Sequence, residues 1–395
     1  MKTDKLTKAK TSLSVFILPL FILLAACSGT SHTAQVIETE KAQLDVEDAV
    51  YSVFLIGDAG AASLEPRAPV LETMKEQMMK AGERSAVIFL GDNVYPDGLP
   101  PEGAPSRDQA EDRLLSQLKT VEDYPGRIIF IPGNHDWYSS GEEGLEWLRR
   151  QEQYVELYLD RGNTFMPDSG YPGPVSVNLL QKSSDDSLSL DIRLLVLDTH
   201  WWLHPHEKPI AKGLENEEEQ KDKILSDMTE LIKNHREDEI ILATHHPLFS
   251  YGRHGGKFPR STHFIPPVFG SMYVAYRNIW GYAQDIANYR DLKKGLLNSF
   301  QLTDELVHAS GHEHSLQFIP RQEGDSRQYY LVSGSASKPS YVRKKSNDVV
   351  TREGEGFVVL RYYKDRSKSV EFWDNEGNRV FNRQLPKREL PASVN

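Results

Sequence analysis

Cysteine is nearly missing from this chain: one residue of 395, Cys27, carries a thiol. No intrachain disulfide can form, and no thiol nucleophile remains in the body of the protein. Basic charge is also short, with 46 Lys and Arg against 57 Asp and Glu and a net charge of −11. That balance argues against a nucleic-acid partner, because phosphate backbones select faces rich in Lys and Arg. It leaves room for a phosphorylated small molecule or phosphoprotein as substrate, since bound cations can supply positive charge locally. A membrane-spanning run is lacking too. The apolar stretch 13–26 is short and interrupted by Pro19, which does not suit a bilayer span. What remains is 39% hydrophobic and 26% charged residues, the composition of a globular protein with a core to bury.

The N-terminus reads as an export signal. Lys2, Lys5, Lys8 and Lys10 precede the apolar stretch, and Leu24-Ala25-Ala26-Cys27 closes it. This ending resembles the bacterial lipobox, in which cleavage precedes the Cys and its sulfur receives a diacylglyceryl group. The resemblance implies a signal peptide over 1–27, lipidation at Cys27, and a membrane partner reached through that lipid. It implies a place in the bacterial cell envelope, on the outer membrane or the periplasmic or extracellular face. Several acyl chains on one residue hold far more firmly than one. Residues 28–48 are polar and without periodicity, and read as a flexible tether.

From residue 49 to 385 the pattern is that of one folded domain. Short, nearly continuous apolar runs at 50–56, 86–90, 128–131, 192–197, 240–243, 306–309 and 329–332 predict strands covered on both faces. Helices are expected between them. Residues 69–81 follow a Pro and put Val70, Leu71, Met74 and Met78 on one face. Residues 217–235 carry Ile224, Leu225, Met228, Leu231 and Ile232 as a stripe behind an acidic start. Residues 142–159 form a third. Strand–helix alternation predicts a layered α/β fold. The segment 255–300 is a long aromatic-rich insertion, expected to cover the site as a lid or cap. The tail 356–385 predicts three short strands joined by turns.

The chemistry follows the strands. The runs end in Gly57-Asp58, in Gly91-Asp92-Asn93-Val94-Tyr95, in Gly133-Asn134-His135-Asp136, in His245-His246-Pro247 and in Gly311-His312-Glu313-His314. One such Asp is an ordinary turn residue. Five successive strands delivering metal-competent groups at one sheet edge, where open α/β sheets bind ligands, is a site. Carboxylates, imidazoles, an amide oxygen and a phenol can hold two cations close together, provided one carboxylate bridges them.

In this set and order the chain resembles the calcineurin-like metallophosphoesterases, and within them the purple, tartrate-resistant acid phosphatases. The resemblance covers roughly residues 54–314. The purple branch adds a Tyr three residues after the bridging Asp, as Tyr95 follows Asp92, and a His nine residues after the H-x-P His, as His254 follows His245. It implies a four-layer α/β/β/α sandwich. It implies that Asp58, Tyr95 and His314 hold a first metal, that Asn134, His245 and His312 hold a second, and that Asp92 bridges. His135 and His254 would orient the phosphate and protonate the leaving oxygen. Asp136 would steady His135, and His246 would stand behind the ligands. The chain departs from the branch at Ala59, where an aromatic is usual, and in the insertion after His254.

A phenolate among carboxylates favours Fe(III), whereas Asn with two His suits Zn, Mn or Fe(II). An Fe(III)–divalent pair implies a purple colour and an acidic optimum. The expected reaction is hydrolysis of phosphate monoesters by a hydroxide bridging the two metals. Two rivals are a phosphodiesterase or nucleotide pyrophosphatase on the same site, and a non-catalytic surface-binding lipoprotein.

Overall fold

The computed structural model describes residues 48–182, 190–259, 261–262, 271–272, 282–344 and 348–388. Cys27, the signal segment and nearly all of the tether lie outside the described residues, as does much of the insertion expected to form a lid.

Two mixed sheets are built from the apolar runs. The first holds β1 (Ala49–Ile56), β2 (Ser85–Phe89), β3 (Arg127–Phe130), β11 (Gly356–Tyr363), β12 (Lys368–Asp374) and β13 (Arg379–Leu385), in the order β13-β12-β11-β1-β2-β3. The second holds β4 (Val175–Leu180), β5 (Ile192–Val196), β6 (Glu239–Thr244), β7 (Glu305–Ser310), β8 (Leu316–Glu323), β9 (Ser326–Ser333) and β10 (Val350–Arg352), in the order β10-β8-β9-β7-β6-β5-β4. The strands β1, β2 and β3 run parallel, as do β5, β6, β7 and β9.

The period of two along each strand separates two cores. Val53, Leu55, Ile88 and Ile129 face the other sheet and pack with Ile241, Val307, Leu331, Val358 and Leu360. Phe54, Ile56, Val87, Phe89 and Phe130 face outward, under the helices. There α1 (Pro69–Ala81) buries Val70, Leu71, Met74 and Met78, and α2 (Arg107–Val121) adds Leu114, Leu118 and Val121. α3 (Gly144–Leu159) adds Leu148 and Val155. Over the second sheet lie α4 (Thr199–Leu203), α5 (Glu217–Asn234) and α6 (Tyr282–Phe300), with Ile224, Met228, Leu292, Leu296 and Phe300 buried. The result is the α/β/β/α sandwich.

Local chemistry sets the helix ends. Pro69 opens α1, where its missing N–H costs nothing. Asn216 caps α5 by accepting from Glu219 N at 3.0 Å, and Glu217, Glu218 and Glu219 fill its first turn, where the helix dipole favours negative charge. The acidic run 215–219 is therefore a helix start. Of the 255–300 insertion, the described C-terminal part is α6, which packs on α5 in the outer helical layer, burying Leu292, Leu296 and Phe300, and brings Tyr289 Oη to His246 O.

Candidate metal centre

The parallel strands bring five chemistry-bearing loops to one edge. Asp58 follows β1, Asp92 and Tyr95 follow β2, and Asn134 follows β3; His245 follows β6, and His312 and His314 follow β7. The two sheets are joined there by a backbone bond from Gly57 N to Ser333 O at 2.7 Å, and within the first sheet Asp58 N donates to Gly91 O at 3.0 Å. Gly311 N donates to His245 O at 3.0 Å in the same belt.

Three of the seven candidates hold left-handed backbone: Asp58 at φ 60°, Asp92 at φ 54° and His312 at φ 64°. For a residue with a side chain this conformation is worth roughly 1–2 kcal/mol of strain. Asp tolerates it better than most residues, whereas the imidazole of His312 does not, so the surrounding bonds must hold it. Asp58 Oδ2 does so directly, accepting from His312 N at 2.8 Å. Gly133 is required for a separate reason. A Cβ there would drive into Asp92 N and Oδ1.

The polar atoms gather in two groups. In the first, Tyr95 Oη lies 2.9 Å from Asp58 Oδ1, 3.1 Å from His314 Nε2 and 3.2 Å from Asp92 Oδ2. His314 Nε2 lies 3.2 Å from Asp58 Oδ1. In the second, Asn134 Oδ1 lies 3.1 Å from His245 Nε2 and 3.0 Å from His312 Nδ1, and the two ring nitrogens are 3.2 Å apart. Asp92 Oδ1 lies 3.3 Å from His245 Nε2. The carboxylate of Asp92 thus turns one oxygen to each group. All seven candidates converge, and Asp58, Asp92 and His245 together place ligand atoms within 4.8 Å of one another.

The electrostatics call for positive charge. Burial alone would push the His245 imidazole down, yet Asp92 and Asp58 beside it lift it to about 9. Asp92 itself stays ionised far below the usual carboxylate range: burial opposes this, but His245 and His135 outweigh it. Burial and the neighbouring imidazoles hold His312 neutral, well below its ordinary value. Burial, then Asp58 and Asp92, push the Tyr95 phenol well above its ordinary value. A proton on His245 and one on Tyr95 occupy positions that a cation would claim, so metal binding here releases protons. His245 Nδ1 donates to Leu90 O at 2.8 Å, and a carbonyl only accepts, so Nε2 is the nitrogen left for a metal. The residues fit a two-cation centre with Asp92 shared.

The remaining candidates surround it. His135 faces Pro96 O and Ser139 Oγ through Nδ1, and its Nε2 lies 3.8 Å from Asp92 Oδ2. The ring of His254 packs 4.1 Å, centre to centre, from that of His312. His246 sits 4.4 Å from His312 and fixes its Nδ1 on Thr199 Oγ1 at 2.8 Å. Asp136 has a different task from the one expected. Its buried carboxylate accepts from Gly133 N at 2.7 Å, Asn93 N at 3.0 Å and Gln151 Nε2 at 2.9 Å. It therefore ties the β2 and β3 loops together, and His135 is held by Pro96 and Ser139 instead. Burial, then Asp92, raises Asp136 to about 6.

Three functional groups escape sequence reasoning. Glu313, between the two His of the last motif, is wholly buried. It accepts from Ser250 Oγ at 2.8 Å, His254 N at 2.9 Å and Arg253 N at 3.0 Å. It clamps the loop that carries His254, and a Cβ at Gly252 would collide with it. Lys338 lies with Nζ 3.6 Å from the centre of the Tyr95 ring, beside the first group. Asp198, after β5, accepts from Trp137 Nε1 at 2.8 Å and from His200 N at 2.8 Å, pinning α4 to the β3 loop. No family motif marks Asp198 or Lys338; the only signal for Asp198 is its place at a strand end. Replacing Glu313 by Gln puts an NH2 against the N–H groups of the clamp. Turnover is expected to fall roughly 10–100-fold, as for other residues that hold catalytic groups in place. Elemental analysis should still find the wild-type metal content; a loss of metal in step with turnover would assign Glu313 to the centre itself.

A family model described as calcineurin-like phosphoesterase matches residues 51–316. Among solved structures, the chain is similar to GAP50, described as the anchor in the inner membrane complex of Plasmodium. The identity is 16%, with 86% of this chain and 89% of that one covered and a TM-score of 0.50. It is also similar to purple acid phosphatase PPD1 from yellow lupin (Lupinus luteus) seeds, at 13% identity and a TM-score of 0.48. That match covers 85% of this chain and 54% of the lupin chain. No curated protein matches the chain. At 16% identity, the first of these likenesses speaks to the fold alone. The family match spans β1 to the first residue of β8, five strand-end motifs included, and on it the chain belongs to the calcineurin-like phosphoesterases.

Proposed function

We propose that the chain is an exported, lipid-anchored phosphomonoesterase of the acid-phosphatase type, acting on a phosphorylated small molecule or phosphoprotein. The metallophosphoesterase family makes it a metal-binding hydrolase. The observation that carries the finer reading is the orientation of Asp92, with Oδ2 toward Tyr95 and Oδ1 toward His245. Bound there, two cations would activate a water and neutralise phosphoryl oxygens. Asp58, Tyr95 and His314 would hold one, and Asn134, His245 and His312 the other.

The chain's own residues do the rest. His135 stands beside Asp92, and His254 beside His312 and His314. His135 and His254 would bind phosphoryl oxygens and give a proton to the departing alkoxide. Glu313 keeps the His254 backbone fixed, and Pro96 keeps the His135 ring turned inward. Lys338 adds a positive charge beside Tyr95. The Tyr95 phenol bears on the metal: burial and two carboxylates resist its ionisation, so a strongly acidic cation is needed to displace the proton. That favours Fe(III) in the first position and Zn, Mn or Fe(II) in the second. The lipid anchor at Cys27 rests on the lipobox-like sequence alone.

The test is a pair of measurements on protein purified without added metal. Elemental analysis should find iron with a second divalent metal, and a visible band should accompany it. Turnover of p-nitrophenyl phosphate should exceed that of bis-p-nitrophenyl phosphate by at least about tenfold, a difference of roughly 1.4 kcal/mol in barrier. Full activity in colourless, iron-free protein would sink the iron assignment. Faster turnover of the diester would replace the monoesterase by a phosphodiesterase.

A further inference from the structure

Beside the second donor group lies a cavity of about 510 Å³ that the five motifs do not explain. His246, His254 and His312 are among its lining residues, so it adjoins the second donor group. Its size falls within the range of small-molecule sites. Leu203, Leu248 and Tyr289 are among its apolar walls. Tyr289 is held rigidly, donating through Oη to His246 O at 2.9 Å.

The charge of this cavity is opposite to that of the chain. The protein carries −11 overall, yet among the described residues that line the cavity none is acidic, and Lys257, Arg290 and Lys293 are all present. Lys293 is fixed as well as charged: Nζ donates to Leu248 O and lies 3.9 Å from the centre of the Phe249 ring. Arg290 is exposed on α6. Cations set in a low-dielectric wall concentrate anions there. A bare phosphomonoester with a small leaving group would use none of these features, and an uncharged acyl chain would use the walls but not the cations.

We infer that this cavity is the leaving-group subsite, and that it takes a nucleoside-sized group bearing its own anionic oxygens, as in a nucleoside diphosphate. The inference rests on the hydrolase reading above and names the substrate class for it. In the reaction, water oxygen bonds to the terminal phosphorus as the bond from phosphorus to the bridging oxygen breaks. Inorganic phosphate and the nucleoside monophosphate leave, and the departing oxygen takes the proton. The walls of the cavity would hold the nucleoside, and Lys257 and Arg290 the remaining phosphate.

The experiment uses the full, metal-loaded chain with ADP, p-nitrophenyl phosphate and an acylglycerol phosphate as substrates, and AMP as ligand. Wild type should favour ADP in kcat/KM. Arg290→Ala should lower kcat/KM for ADP at least fivefold more than for p-nitrophenyl phosphate, mainly through KM. Leu203→Trp, which fills the cavity, should abolish AMP binding measured by calorimetry. Equal effects of Arg290→Ala on both substrates, preference for the acylglycerol phosphate, or no AMP binding by wild type would each overturn the subsite. The two readings fail separately. Should none of the three substrates be cleaved while AMP still binds wild type and not Leu203→Trp, the hydrolase reading falls and the subsite stands.

Discussion

Asp92→Asn should yield a folded protein that has lost turnover and much of its metal. Asn is chosen because it accepts the left-handed backbone of this position, φ 54°, where Ala would add strain of its own. The replacement keeps an oxygen to accept the His135 N–H, which reaches Asp92 Oδ1 at 2.9 Å. It removes the negative charge and the second oxygen, so one donor group loses its shared ligand. The same change relaxes His245, because Asp92 is the main influence lifting that imidazole to about 9 against the opposing effect of burial. Altering a group that only supports a ligand typically costs 10–100-fold in metal affinity or activity, so a shared ligand should cost more than about a hundredfold. Metal stoichiometry, activity and the circular dichroism spectrum, measured together, decide the matter. A mutant with wild-type turnover would remove the two-metal mechanism, while one that fails to fold would mean that Asp92 serves the β2 loop first.

How much of this was legible before the structure follows from what each signal was made of. The strands β1, β2, β3, β6 and β7 each carry a short apolar run, and each is followed by a polar group of ligand type, so both the sheet edge and its chemistry stood out. α1 and α5 were legible because their buried faces are apolar. α2 was not, since Ser116, Gln117 and Thr120 are buried there among the leucines and blur the period. β8 was hidden by Gln317 and Pro320 within it. α6 lies in a stretch whose aromatic content carries no clear stripe. In the site, roles played along the chain were readable and roles played across space were not. Asp136 is adjacent in sequence to His135, but its carboxylate reaches Asn93 and Gln151 instead. Glu313 looks like a spacer between two His, and only the folded chain brings it under residues 250–255.

The edge opposite the metal centre carries the largest expected effect on stability. Lys368 on β12 is buried between Glu239, the first residue of β6, and Glu305, the first residue of β7. The strand belongs to one sheet and the two carboxylates to the other, so this single ammonium pins the sheets together. Arg327 adds a second contact to Glu305 at 3.2 Å, and Arg366 reaches Glu239 at 3.8 Å. The cluster matters beyond these pairs, since burial, then Glu239 and Glu305, pushes the enclosed Tyr362 phenol well above its ordinary value. Lys368→Met keeps the volume but leaves two carboxylates facing each other out of water. Breaking a buried pair in this way costs about 3–5 kcal/mol, read as a lower midpoint in chemical denaturation. Turnover of the folded fraction should be unchanged, because the strand ends bearing the site lie at the far edge of both sheets. The triple replacement Lys368→Met, Glu239→Gln and Glu305→Gln should recover most of the loss, because the stranded charges are then gone. A single mutant within about 1 kcal/mol of wild type would show that water or the two arginines already satisfy the carboxylates, and that the apolar faces hold the sheets at this edge.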